Sequence, residues 1–171
     1  MTAKYISTAI EWPAAQFASS AHARQRVLVV DDDEMVRRLN AEVLRCSGYE
    51  VDTAIDGAEA WAELNDREYD LLVTDNEMPG FTGIDLLAEM HATGMTLPVI
   101  MATGTFPAVK FANAPWLRPT ATLLKPYTVS DLLAMVQEVL RAANSARPEI
   151  TPLPPNWLSA SPRDDRRTCT A

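Results

Sequence analysis

The groups that could do chemistry together in this chain stand far apart. Three aspartates in a row, Asp31, Asp32 and Asp33, follow the apolar run Val27-Leu-Val-Val30. Asp75 follows Leu71-Leu-Val-Thr74, Thr103 follows Pro98-Val-Ile-Met-Ala102, and Lys125-Pro126 follows Ala121-Thr-Leu-Leu124. Gathered in one cleft, the carboxylates of Asp31, Asp32 and Asp75 would outnumber the single ammonium of Lys125. Crowded carboxylates resist full ionisation unless a cation joins them. An all-oxygen donor set without His or Cys suits Mg2+, which pairs carboxylates with a phosphoryl oxygen and keeps several waters. A strand-end carboxylate beside such an ion can attack phosphorus in line, while metal and lysine neutralise the equatorial oxygens. Thr103 could donate a hydrogen bond to one of those oxygens, and Gly104 next to it leaves the approach open. The reaction implied is formation of an acyl phosphate on an aspartate.

That chemistry requires elements that bring the groups to one place, and the pattern between about Arg24 and Ala143 supplies them. Val27–Val30, Val51–Ile55, Leu71–Thr74, Pro98–Ala102 and Ala121–Leu124 read as strands, each followed by a helical or loop segment. The first, third and fourth are apolar without alternation, as in parallel strands covered on both faces. Met35, Val36, Leu39, Val43 and Leu44 recur at helical spacing and predict the buried stripe of the first helix, which Gly48 stops. A second helix over Ala58–Asn65 is anchored by Trp61 and Leu64. Thr82-Gly-Ile-Asp85 and Thr128-Val-Ser-Asp131 are capping boxes. The first opens a helix carrying Ile84, Leu87 and Met90; the second opens one with Leu132, Leu133, Val136, Val139 and Leu140 on one face. Strands alternating with helices predict an open, doubly wound α/β sheet. In that architecture ligands bind beyond the carboxyl ends of the strands, where Asp31, Asp32, Asp75, Thr103 and Lys125 all stand.

The 171 residues, of which 22% are charged, carry a net charge of −8. That balance argues against binding nucleic acid by phosphate neutralisation. No apolar run is long enough to span a bilayer and the first 23 residues lack the core of a secretory signal, so the expectation is a cytoplasmic protein with no membrane partner. Cys46 and Cys169 make neither a disulfide framework nor a zinc site, and Cys46 reads as a packing residue. His22 and His91 read as surface residues. Residues 1–23 read as a flexible N-terminal extension. The Pro-rich tail 144–171, with Trp157 and Leu158 as its bulky apolar pair, reads as disordered. A docking role for Trp157 in LPPNWL is the lesser reading of that tail.

The segments VLVVDDDE, LLVTDNEMPGFTG, PVIMATG and LLKPYT resemble the signature segments of the response-regulator receiver domain of two-component signalling. The resemblance covers residues 24–143 and implies a five-stranded parallel sheet of flavodoxin-like order 2-1-3-4-5. It implies Asp75 as phosphoacceptor, and Asp31, Asp32, Asp75 and the backbone carbonyl of Glu77 as Mg2+ ligands. Thr103 then matches the switch hydroxyl and Lys125 the phosphoryl-binding lysine, followed by a cis Pro126. The implied donor is a sensor histidine kinase or a histidine phosphotransfer protein, and the readout a further protein partner or onward phosphoryl transfer. With no output domain in sight after Ala143, a stand-alone regulator is expected, not an enzyme acting on a separate substrate.

Two features depart from the family pattern. Thr122 stands three residues before Lys125, where a Tyr or Phe is usual. The segment for the fourth helix, TFPAVKFANAPWLRPTA, contains Pro107, Pro115 and Pro119 and permits only a short helix over about Ala108–Asn113. The relay of the signal is therefore expected to run through rearrangement of residues 103–122. One rival reading is a docking module of the same fold that works without phosphorylation. A haloacid-dehalogenase-like phosphatase could begin with Asp31-Asp32-Asp33, but it leaves Asp75 without a role, and the only later acid pair, Asp164-Asp165, has no strand before it. The bland readings are a helix N-terminus rich in acids and a turn aspartate; Asp33 and Glu34 fit the former.

Overall fold

Runs of valine, leucine and isoleucine form the centre of a sheet that is covered on both sides. The computed structural model describes residues 25–146. The strands are β1 (Arg26–Val30), β2 (Glu50–Ala54), β3 (Leu71–Asp75), β4 (Val99–Thr103) and β5 (Ala121–Leu124). Between and after them lie α1 (Glu34–Cys46), α2 (Gly57–Asp66), α3 (Gly83–Ala92), α4 (Ala108–Asn113) and α5 (Val129–Ala146), with a 3-10 turn at Pro115–Leu117. All pairings are parallel and the order is β2-β1-β3-β4-β5, the doubly wound arrangement expected. Among the described residues no helix is long and apolar enough to cross a membrane.

Strand residues divide between two cores. Val27, Val29, Leu71, Val73 and Ile100 face α1 and α5, where Ala41, Leu44, Leu132, Val136 and Leu140 meet them. Leu28, Val30, Leu72, Val99 and Met101 face the other way, against Ala60, Ile84, Leu86, Leu87 and Phe111. Alternation along each strand thus feeds both layers, which is why β3 and β4 are buried throughout. The α5 face expected from periodicity is observed in full.

Three expectations need correction. The buried face of α1 runs through Asn40, Ala41 and Leu44, whereas Met35 and Leu39 are exposed. Met35 lies in the first turn of α1 and Leu39 follows it one turn on, along the same outward side. Cys46, expected to pack, is exposed at the end of α1. The second strand ends at Ala54 rather than Ile55, whose N–H is taken by the Glu59 carboxylate at 2.7 Å. The expectations for residues 1–23, for His22 and for the tail from 147 onward, with Trp157, Asp164, Asp165 and Cys169, lie outside the described residues.

Candidate functional site

Sheet register delivers the acids to one edge. Val30 pairs with Thr74, so Asp31 and Asp75 arrive next to each other as β1 and β3 end. Asp75 pairs with Ala102 and Thr103 with Leu124, which sets the end of β4 beside β3 and the end of β5 beside β4. The Lys125 N–H donates to the Thr103 carbonyl at 2.9 Å and carries its side chain back toward β3.

There the Lys125 ammonium donates to Asp75 Oδ2 at 2.8 Å and to Asp31 Oδ2 at 3.3 Å. Asp31 and Asp75 are buried, while Asp32 is exposed at the mouth. One carboxylate oxygen from each of Asp31, Asp32 and Asp75 falls within 4.8 Å of the others. The second oxygens are also held: the Asp33 N–H donates to Asp31 Oδ1 at 3.0 Å and the Glu77 N–H to Asp75 Oδ1 at 3.2 Å. Burial pushes the Asp31 carboxyl up from its ordinary range and the Asp75 charge adds to this; the Lys125 ammonium and the Asp33 amide oppose it without prevailing. Burial alone would lower Lys125, but the bond to Asp75 and the charges of both acids outweigh it and hold the amine above its ordinary value. Three clustered carboxylates with one ammonium, all oxygen donors and open on the Asp32 side, fit a hard divalent cation of the Mg2+ type.

The supporting residues are placed as follows. The Lys125–Pro126 bond is cis. Thr122 lies on β5 opposite Met101 and is half-buried. Thr103 is fully buried, but its hydroxyl donates to the Thr105 carbonyl at 2.8 Å and accepts from the Thr105 N–H at 3.3 Å. It is therefore engaged within its own loop and not with the carboxylates. A Cβ on Gly104 would meet nothing nearer than the Glu77 carboxylate at 3.7 Å, so the opening there is real and Glu77 borders it. Asp33 caps α1 through the Met35 and Val36 N–H groups, and Glu34 pairs with Arg38, so both have the helix-end roles expected of them.

Several contributors carried no sequence signal. Gly83 needs its lack of a side chain, because a Cβ there would collide with the Asp75 carbonyl oxygen. Arg37 donates to the Asp31 carbonyl at 2.7 Å. Asn40, on α1, donates to the Tyr127 hydroxyl at 2.9 Å. Tyr127 directly follows the Lys125-Pro126 pair, and only that adjacency could have pointed to it.

A family model described as the response regulator receiver domain matches residues 27–137. The chain belongs to that family. It is 33% identical over 122 residues to the chemotaxis protein CheY of Pseudomonas aeruginosa, covering 70% of this chain and 98% of that one. It is also 33% identical over 120 residues to the transcriptional regulatory protein PrrA of Mycobacterium bovis, covering 70% of this chain. The chain spans about half the length of PrrA, 52%. Among solved structures it is similar to the response regulator TrrA of Thermotoga maritima in complex with Mg(2+)-BeF. That match has a TM-score of 0.60 and 30% identity, covering 67% of this chain and 98% of that one. The receiver domain is a two-component signalling module rather than a classical enzyme, and its flavodoxin-like sheet is the one described above.

Proposed function

We propose that this receiver accepts a phosphoryl group on Asp75. The observation that carries the reading is the Lys125 ammonium bridging Asp75 and Asp31 at 2.8 and 3.3 Å in a buried notch. In the transfer, an Asp75 carboxylate oxygen forms a bond to phosphorus. The phosphorus–nitrogen bond of a donor phosphohistidine breaks, and its electron pair leaves with the imidazole nitrogen, which takes up a proton. Lys125 then pairs with the phosphoryl oxygens in place of the free carboxylate. Mg2+, held by Asp31, Asp32, Asp75 and the backbone carbonyl of Glu77, would screen the charge on the same oxygens. The similar TrrA, solved with Mg(2+)-BeF, supports this ligand chemistry.

The donor in this reading is a sensor histidine kinase or a histidine phosphotransfer protein, working in the cytoplasm. Residues 24–143 form the receiver unit, which acts by binding a protein target or by passing the phosphoryl group onward. Thr103 leaves the Thr105 backbone to meet the phosphoryl group, and that exchange starts the signal.

The test is incubation of the full chain with Mg2+ and acetyl phosphate, followed by intact-mass spectrometry. A gain of one phosphoryl group that disappears in Asp75→Asn and on chelation of Mg2+ is expected. No gain in the wild type overturns the reading in favour of a docking module that works without phosphorylation.

A further inference from the structure

The buried polar side chains among the described residues are Asp31, Asn40, Thr74, Asp75 and Thr103. All but one belong to the carboxylate edge; Thr74, for example, donates to the Asp75 carbonyl at 2.9 Å. Asn40 is the exception. It lies inside α1, 5% exposed, on the same face as Ala41 and Leu44. A buried amide must find a partner or carry its desolvation cost, whereas an apolar residue at that position would need none. The partner is the Tyr127 hydroxyl, reached across 87 positions of sequence.

Tyr127 stands two residues after Lys125, in the short connection from β5 to α5, and its ring packs against the α1–α5 core. Burial pushes its hydroxyl up; the Asn40 bond and the Lys125 charge act against this, and the charges of Asp31 and Asp75 act with it. The hydroxyl therefore lies within the field of the notch. One turn earlier on α1, Arg37 holds the Asp31 carbonyl. One face of α1 thus grips two loops, the one carrying Asp31 through Arg37 and the one carrying Lys125 through Asn40. The ammonium of Lys125 closes the ring on Asp31.

We propose that Asn40 and Tyr127 are positioning residues for phosphoryl acceptance: their hydrogen bond fixes the β5–α5 connection so that the Lys125 ammonium is held at Asp75. The proposal rests on the reading of Asp75 as phosphoryl acceptor. A lysine on its long flexible stem delivers a point charge accurately only if its backbone is anchored. Apolar packing between α1 and the loop would tolerate a slip along the helix. A hydrogen bond does not, because it weakens steeply away from its preferred distance and angle. The polar pair therefore specifies where the loop sits.

The experiment compares the full-length wild type with Tyr127→Phe, which keeps the ring, and with Asn40→Leu, which keeps the branched shape with the same number of heavy atoms. Phosphoryl uptake from acetyl phosphate is followed by intact mass, Mg2+ affinity by calorimetry, and the Lys125 ammonium by 15N-detected NMR. Both variants should take up phosphoryl groups roughly three- to tenfold more slowly. Their Mg2+ affinity should stay within about twofold, since Asp31 and Asp32 are untouched. Their Lys125 ammonium signal should broaden through faster exchange with water. A purely structural pair would lower the melting temperature and leave both uptake and the ammonium signal unchanged, and that result overturns the proposal. Absence of uptake by the wild type would instead overturn the phosphoryl reading itself, together with the proposal built on it.

Discussion

Around Asp75, chain segments 94 and 50 positions apart are tied by one ammonium, and backbone amides hold the remaining carboxylate oxygens. The connection from β4 to β5 is built differently. α4 has six residues, is preceded by Pro107 with no side-chain cap, and breaks at Ala114 before the 3-10 turn. Its attachments include the Phe106–Phe111 edge contact at 5.5 Å and the His91–Trp116 stack at 4.6 Å. Phe106, Val109 and Trp116 are half or more exposed. A helix of this length has little stability of its own. The contrast separates two parts of the molecule: the carboxylate edge is fixed by paired charges and backbone amides, whereas the β4–β5 connection is anchored by the buried Phe111 and otherwise largely exposed, and on the function proposed above it is where a change at that edge would be reported.

The sharpest way to break this comparison is to remove the tie. Lys125→Ala leaves Asp31 and Asp75 facing each other with no ammonium between them. Losing one partner of a buried charge set costs about 3–5 kcal/mol, and the 30% exposure of the Lys125 side chain puts the expectation at about the lower end. Chemical denaturation without metal should show that loss, and Mg2+ should restore part of it by replacing the missing positive charge. Phosphoryl transfer should fall sharply, while Mg2+ affinity is held or raised. An affinity drop matching that of Asp32→Ala would show that Lys125 supports the metal site and not the phosphoryl group.

How far the residues alone could be read follows the same division. The strand ends were readable because each acid, hydroxyl or amine closes an apolar run, and a parallel sheet brings such ends to one edge whatever the loop lengths. The two capping boxes were readable because they are local. The face of α1 was not. Periodicity selected Met35 and Leu39, but burial there is decided by what crosses the helix, and α5 with the β5–α5 loop selects Asn40 and Ala41. The state of Thr103 was also out of reach, since its hydroxyl chooses between the notch and the Thr105 backbone by loop geometry alone. The 3-10 turn at Pro115–Leu117 begins at a proline, which is a local signal, but it sets Trp116 in a stack on His91 of α3, a contact that no local pattern announces.

A smaller effect separates the capped helices from α4. At the start of α3 the Thr82 hydroxyl and N–H both donate to Asp85, at 2.6 and 3.0 Å, and the Asp85 N–H donates back to Thr82. These bonds hold the Asp85 carboxyl below its ordinary range, with the more distant Lys110 charge helping. A lowered value in the folded state means the contribution is complete above the unfolded value near 3.8 and fades as pH falls through the folded one. Asp85→Asn should therefore melt earlier than wild type at pH 7, with the difference closing toward pH 3. A gap that stays constant across that range would show that the acid's charge contributes nothing. Asp131 in the matching box before α5 is shifted the same way by Thr128 and should behave alike. α4 carries no acid in its first turn and should show no such dependence.

The smallest energetic change tests the largest functional claim. Trp116→Ala removes a half-exposed ring and its stack on His91, a contact worth about 0.5–1.5 kcal/mol, so the fold should survive with a slightly lower melting temperature. If the β4–β5 connection carries the signal, beryllium fluoride with Mg2+ should shift wild-type amides throughout residues 103–122, beginning where Thr103 lets go of Thr105. In Trp116→Ala the 3-10 turn has lost its hold on α3, so part of that shift should already be present without the ligand, and the added change on binding should be smaller. Shifts of ordinary size around Asp75 with none between Thr105 and Thr120 would show instead that the connection is a passive spacer. The route away from the carboxylate edge would then have to leave through α1 and α5, along the face where Asn40 meets Tyr127.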